Sequence, residues 1–379
     1  MSRLDTIFFW ICTISTLYLL ASMSAVFRLT RRRNTATLPE SLPGVSIMKP
    51  LKGIDDDLAE NIRSFCVQDY PRYELVFAAA DPNDPAREVV EQIQLEHPDL
   101  PLRFFAQEPT PSLNPKVANL ETIANHVRYD LVLISDSNVR VPPDYLSDLV
   151  RSYHQEGVGI ATNMVCGDGE ETWSAALENM FLNGIILGGF AVAAAFAGHT
   201  YVLGKSALFR MKHFLQLGGF SPLHKVIVED EISSNWFRKA GFRIVYGTRP
   251  IYTHNRQWTF AQFLERHIRW ARVRLRTATA AYLIEPLAAP LGPAIVWVVL
   301  SGGSRASLVG CAVAWLLVWL RDQAHAYWME RPFFRWSVFF LLPVFAVFHF
   351  FLLVLSPWSN RISWRGKTYK IGRHTEILD

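Results

Sequence analysis

The hydrophobic pattern divides the chain into apolar ends around a mixed centre. Residues 7–27 read IFFWICTISTLYLLASMSAVF without a single charge, close to the roughly 20 residues a helix needs to cross a bilayer. Arg28, Arg31, Arg32 and Arg33 follow, so the positive-inside rule places the residues after this span in the cytosol and the short amino terminus outside. A cleaved signal peptide carries its positive charge ahead of the apolar core and ends in small residues. The order here is reversed, which predicts an uncleaved anchor.

From about residue 45 to 277 short β-branched runs alternate with amphipathic stretches, the pattern of an α/β domain. VSIMKPL (45–51) predicts a first strand and 57–68 the helix after it. YELVFAAAD (73–81) predicts a second strand that delivers Asp81 into a turn, because Pro82, Asn83 and Pro85 cannot continue it. DLVLISDSN (130–138) predicts a third, with Asp136 near its end. Ligands of open parallel sheets bind at the carboxyl ends of strands, so two strands ending in aspartate point to one crevice. An aspartate that merely stops a strand and caps a helix leaves the same mark.

Beyond residue 280 the chain is apolar again at 287–300, 306–320 and 337–355. The last predicts a full span; the first two are short and interrupted by Pro290, Pro293, Gly302 and Gly303. The loop 321–335 and the tail with Arg361, Arg365, Lys367, Lys370 and Arg373 are both basic. One full span between them would put them on opposite sides, so one segment is expected to be re-entrant or interfacial, with 284–293 as the candidate. The organisation is therefore an anchor (1–33), an α/β domain (44–258), a basic amphipathic interfacial helix (259–282), hydrophobic segments (283–358) and a basic tail (359–379).

Composition agrees with that division. Half of the 379 residues are hydrophobic and 19% are charged, too apolar for an ordinary soluble domain and too charged for a bundle of spans alone. Net charge is only +4, concentrated at residues 31–33 and 266–276. That suits an anionic membrane face and not nucleic acid. Cys12, Cys66, Cys166 and Cys311 are far apart, with neither zinc-site nor disulfide spacing, and a reducing compartment is expected for the central domain.

Several residue groups carry candidate chemistry. Asp136 stands at a strand end where a carboxylate can hold a divalent cation against phosphates. Asp230, between Glu229 and Glu231, opens a helical stretch; repulsion among the three can lift one pKa and make a general base, or the triplet simply charges a helix amino terminus. Arg266, Arg269 and Trp270 set cationic forks and an aromatic face on one helix side, or form an ordinary basic surface helix. Residues 260–282 mix apolar residues with five arginines, the pattern of a helix in the headgroup region. IILGGFAVAAAFA (185–197) is either an acceptor-tail groove or a buried core helix. His199 after it is a candidate acceptor contact or a structural histidine.

Taken together these groups have the order found in inverting glycosyltransferases of the GT-A fold. KPLKG (49–53), SFCVQDYP (64–71), NPKVANL (114–120), ISDSNVRVPPDYL (134–146), VEDE (228–231), RHIRW (266–270) and ISWRGKTYKI with the following EILD are together similar to the ceramide glucosyltransferase family across nearly the whole chain. The resemblance implies a Rossmann-like GT-A domain between an amino-terminal transmembrane helix and carboxyl-terminal transmembrane or interfacial helices. It implies transfer of a hexose, glucose foremost, from a UDP-sugar to the primary hydroxyl of ceramide or a similar lipid by one inverting displacement. Asp81 would bind the uridine, Lys116 and Asn119 would shape the nucleotide pocket, and Asp136 would hold Mg²⁺ or Mn²⁺ and the diphosphate. Asp230 would be the base, Glu229 and His199 would lie by the acceptor, and Arg266, Arg269 and Trp270 would close over diphosphate and acceptor. A DxD motif would have a second carboxylate at Asn138, which puts metal affinity in question. Related polymer-forming synthases have Gln where Arg266 stands, so Arg here implies a single transfer. A hopanoid-type transferase is the nearest alternative. A nucleotide-binding transporter or scaffold is the alternative of a different class, and it predicts tolerance of Asp230→Asn.

Overall fold

The computed structural model describes residues 2–32, 34, 36–364 and 367–378; Arg33, Arg365, Gly366 and Asp379, all used in the sequence reading, lie outside the described residues. The chain forms two compact units, one of Arg31–Val165 with His199–His254 and one of Met1–Thr30, Cys166–Gly198 and Asn255–Asp379.

The first unit is built on a mixed sheet. Its strands are β1 (Val45–Leu51), β2 (Tyr73–Ala79), β3 (Leu102–Ala106), β4 (Leu131–Ile134), β6 (Val158–Thr162), β8 (Ala207–Arg210) and β9 (Arg243–Tyr246); β5 (Val139–Arg140) lies outside it, as do β7 (Val165–Asp168) and β10 (Ile251–His254). The order is β3-β2-β1-β4-β8-β6-β9. β1 is parallel to β2 and β4, β2 is parallel to β3, and β8 runs antiparallel between β4 and β6. β5 pairs antiparallel with β10.

Every residue of β1 is buried, as a central parallel strand covered on both faces requires. The period of two sorts its side chains: Val45, Ile47 and Leu51 join one core with Leu75, Phe77 and Ala79, while Met48 joins Val76, Ala78 and Val132 in the other. Helices Leu58–Cys66 and Ala86–Glu96 add to the first core, and Pro115–Ala124 and Glu229–Lys239 to the second. Because β2 and β4 are both parallel to β1, Asp81 and Asp136 leave the sheet at the same edge. The two aspartate-ended strands predicted from sequence do flank one strand end.

The second unit is helical. Among the described residues two of its helices are long and apolar enough to cross a membrane, Arg3–Thr30 and Trp173–Ala197. The latter contains a π-helical turn at Phe181–Ile186, a distortion that is frequent at functional sites. Thr279–Leu287 and Leu291–Leu300 are bent against each other by 59°, and the bend falls inside the proline-rich stretch singled out as re-entrant. The full span expected at 337–355 is broken into Trp336–Phe339 and Leu342–Leu355. Pro343 in the first turn of the second piece favours a helix start and disfavours helix before it. Its 14 residues reach only about 21 Å at 1.5 Å per residue, less than a bilayer core. Trp10, Leu17, Val299, Val309 and Phe351 are among many large apolar side chains exposed on this unit, more than a water-facing surface normally shows.

Glu74 ties the first unit together at β2. Its buried carboxylate accepts from Ser46 Oγ, the backbone N–H of Arg128 and Arg103 Nη2, each at 2.7 Å. Glu74→Ala removes the acceptor of three donors and leaves the Arg103 charge unpaired, and it is expected to lower unfolding free energy by about 3–5 kcal/mol, read from denaturant unfolding of the purified full chain; an unchanged midpoint would contradict it.

Candidate active site

The carboxyl ends of β1 and β4 bring the charged residues of the first unit together. Asn114 caps the helix Pro115–Ala124, its side-chain oxygen accepting from the N–H of Lys116 at 2.9 Å and of Val117 at 3.2 Å. The helix start fixes the root of Lys116. Its ammonium, only 13% exposed, bridges Asp136 Oδ1 at 2.9 Å and Glu229 Oε1 at 2.8 Å. Asp230 follows at the start of the helix Glu229–Lys239. Its Oδ2 accepts from Gly204 N–H at 2.7 Å and its Oδ1 from Glu231 N–H at 2.9 Å. Position 204 requires glycine because a Cβ there would lie 2.3 Å from Lys116 Nζ, an atom pinned by two ion pairs.

Two further lysines surround Asp136. Lys205 Nζ donates to Asn138 Oδ1 at 2.8 Å and stands 4.0 Å from Asp136 Oδ2. Lys49, fully buried in β1, donates to the Asp136 carbonyl at 2.9 Å and to Ser135 Oγ at 3.2 Å. Its ammonium lies 3.8 Å from the Phe65 ring centroid, a cation–π contact that replaces part of the lost hydration.

Burial and charge act in opposite senses here. Burial alone would push Lys116 down, but Asp136, Glu229 and Asp230 outweigh it and hold the ammonium above its ordinary value. Burial pulls Lys49 down to about 7, with Asp136 resisting. Asp230 is pushed up to about 7 by burial and then by the Glu229 carboxylate, while Lys116 and the two backbone donors pull the other way. The desolvation has a visible source: a cavity of about 30 Å³ borders Asp230, Glu229 and Lys116 and is otherwise lined by apolar groups such as Leu120, Ile160, Val202 and Phe209.

Of the residues singled out from sequence, Lys116, Asp136, Glu229 and Asp230 thus form one cluster. Asp81 is exposed just beyond β2, its Oδ1 accepting from Asn83 N–H at 2.8 Å. Asn119 is buried, donates to the Leu51 carbonyl at 3.1 Å, and its own Oδ1 has no partner among the described residues. His199 packs edge-on against Tyr201, with ring centroids 4.5 Å apart, and burial lowers its pKa. Arg266, Arg269 and Trp270 belong to the other unit, on the helix Phe260–Thr277. There Arg266 pairs with Glu178 at 2.9 Å, Arg269 Nη1 donates to the Ser363 carbonyl at 3.3 Å, and Trp270 is half-buried.

Sequence reasoning missed Lys49, Lys205, Gly204 and Glu178. A lysine inside an apolar strand run was the one available signal, at Lys49. Among the described residues no three or more of His, Cys, Asp and Glu are placed to hold a metal ion. The residues fit a cation only as part of a nucleotide complex: Asp136 gives one carboxylate, and phosphate oxygens complete the oxygen set that Mg²⁺ accepts.

Comparison with known proteins places this cluster in a family context. The model of glycosyl transferase family 21 matches residues 9–377. The chain belongs to glycosyl transferase family 21. Among curated proteins it is 28% identical over 273 residues to ceramide glucosyltransferase 3 of Caenorhabditis elegans and 27% identical over 281 residues to ceramide glucosyltransferase 1 of the same organism. Each alignment covers 72% of this chain and 59% of the relative, so the chain spans well under two thirds of their length. A mannosyltransferase from Pyrobaculum calidifontis, solved in complex with GDP-Man and Mn²⁺, superposes with a TM-score of 0.60 at 16% identity, covering 94% of this chain and 99% of that one. That likeness shows the GT-A fold expected from the sequence.

The family 21 cluster makes a titration prediction. Lys116→Met removes the cation that draws Asp230 down, so the Asp230 titration is expected to move up from about 7, read from the infrared carboxyl band of the purified protein against an Asp230→Asn control. A titration that stays put, or falls, would remove Lys116 as the controlling charge.

Proposed function

We propose that this chain transfers a hexose, most specifically glucose, from a UDP-sugar to the primary hydroxyl of ceramide or a similar membrane lipid, in a single inverting displacement. The observation that carries the reading is Asp230: a carboxylate with a pKa raised to about 7, beside an ammonium that bridges Asp136 and Glu229. A base that titrates near neutrality matches the deprotonation of an alcohol at physiological pH. The named function of the ceramide glucosyltransferase relatives supports the lipid acceptor.

In this mechanism Asp230 takes the proton of the lipid hydroxyl as its oxygen attacks the anomeric carbon of the sugar. The bond from that carbon to the diphosphate breaks on the opposite face, which inverts the configuration, and the nucleoside diphosphate departs. Asp230 then returns its proton to water. Lys116 and Lys205 bracket Asp136 and supply fixed positive charge where the diphosphate gains negative charge, with no reorganisation at the moment of reaction. Asp136, with the donor's phosphate oxygens, would hold a divalent cation, which when bound would neutralise the leaving group. Asp81 and Asn119 take the uridine side, and Glu229 and His199 the acceptor side. Arg266, Arg269 and Trp270 serve the departing diphosphate. We place the α/β unit on the cytosolic side, from the arginines that follow the first helix, with domain limits of 1–33, 44–258, 259–282, 283–358 and 359–379.

The direct test incubates the full-length protein in membranes with a panel of UDP-sugars and with ceramide, diacylglycerol and hopanoid acceptors, reading products by mass. Glucosylceramide is the expected product, and a different lipid or hexose would redirect the assignment. Asp230→Asn is expected to lower kcat by at least about 10² while UDP binding persists; wild-type turnover in this variant would overturn Asp230 as the base. For the wild type, kcat/KM should climb with pH through an inflection at about 7, because only the deprotonated carboxylate accepts the proton. Chelation is expected to suppress turnover and added Mn²⁺ or Mg²⁺ to restore it, with Asp136→Asn raising the metal concentration needed. Full activity in chelator would remove the cation from the scheme.

A further inference from the structure

We infer that Glu178 is the positioning residue of the RHIRW segment: its buried carboxylate, together with Trp258, aims the Arg266 guanidinium. The inference rests on the proposed role of Arg266 toward the departing diphosphate.

The geometry is confined to the helical unit. Glu178 is 1% exposed and has Arg266 Nε 2.9 Å from its Oε1 and His267 Nε2 2.9 Å from its Oε2. His267 is itself buried between the rings of Phe181 and Phe263, whose centroids lie 4.5 and 4.1 Å from its own. Burial lowers its pKa while the Glu178 carboxylate opposes the shift, and Arg266 is a permanent positive charge beside Glu178. The Arg266 guanidinium stands 5.4 Å from the Trp258 ring centroid. The Nε contact with Glu178 is an ion pair and not a directed hydrogen bond, since Oε1 accepts none; one face of the guanidinium is toward Trp258, and its two terminal nitrogens have no hydrogen-bond partner among the described residues.

A guanidinium has five donors in a rigid fork. The ion pair with Glu178 and the Trp258 ring hold the guanidinium in place and leave the paired terminal donors, the arrangement suited to two oxygens of one anion. The anchor is itself held. Glu178 lies in the helix Trp173–Met180, immediately before the π-helical turn at Phe181–Ile186. Thr172 caps that helix at Ala175 N–H and donates from its hydroxyl to the Trp258 carbonyl at 2.9 Å. One short segment therefore locates both Glu178 and the strand of chain that carries Trp258. A carboxylate buried in so apolar a helix is costly unless it is paired, and here the pairing falls on a residue of the functional segment. His267 reads as the second tether: it fixes which oxygen of Glu178 is left for Arg266.

The test uses full-length protein with Glu178→Gln, Glu178→Asp, Arg266→Gln and the double Glu178→Gln with Arg266→Gln, comparing turnover and thermal midpoint. Glu178→Gln is expected to lower kcat about 10-fold or more, the scale of a slightly misplaced catalytic group, with the lipid KM unchanged. Glu178→Asp keeps the charge and should recover part of the loss. The double variant should be no slower than Arg266→Gln alone, because the two act as one unit. If Glu178→Gln does not fold, the double variant, which buries no unpaired charge, and Glu178→Asp still decide the matter. Wild-type turnover in folded Glu178→Gln, or a double variant slowed by the product of the two single effects, overturns the inference while leaving the proposed reaction intact. A wild-type protein that transfers no hexose to any lipid overturns the proposed reaction first.

Discussion

The Lys116 ammonium, held between Asp136 and Glu229 at 2.9 and 2.8 Å, is the interaction on which the α/β unit's site depends. Asp136 ends a central strand, Lys116 begins one helix and Glu229 another, so a single cation joins three elements from distant parts of the chain. Removing any partner would leave like or unpaired charges in a site whose walls are partly apolar, which costs several kcal/mol. The same ammonium dictates glycine at 204, and that glycine's N–H in turn holds Asp230.

That arrangement explains how a carboxylate can act as a base and still be built into a stable fold. Asp230 borders an apolar cavity, and the dry surroundings raise its affinity for a proton, while Lys116 and two backbone donors keep the anion accessible. Glu229 next to it is tied to Lys116. Two adjacent acids therefore have different proton affinities because their partners differ, and under the proposed reaction that difference separates charge neutralisation from proton transfer.

The helical unit follows a reversed logic. Its outer face carries exposed apolar side chains, while charges are turned inward and paired: Glu178 with Arg266, Glu285 with Arg274, and Glu170 with Arg331. In apolar surroundings an unpaired charge is prohibitive, so these three acids each have a cation, and buried Asp5 instead accepts hydrogen bonds from Ser2, Trp297 and Ser304. Arg269 and Arg272 instead donate to backbone carbonyls of the carboxyl-terminal segment, at Ser363, Ser356 and Arg361. The basic pattern that reads in sequence as a surface helix is in part an internal scaffold.

The sequence by itself determined what depends on neighbours along the chain. The charge-free run at 7–27, the β1, β2 and β4 strands and the proline turn after Asp81 follow from local propensity and period, and the motifs carried the family. Short strands such as β3 and β8 escaped because a run of four or five residues has no distinctive period. Only the tertiary structure decided that the stretch Cys166–Gly198 clusters with the chain ends, that Pro343 breaks the last apolar run, and that Lys49, Lys205 and Glu178 stand beside the residues of interest. Those choices turn on which distant charges meet in a desolvated place. A local pattern carries no record of such meetings, because burial and Coulomb attraction act across space and not along the chain.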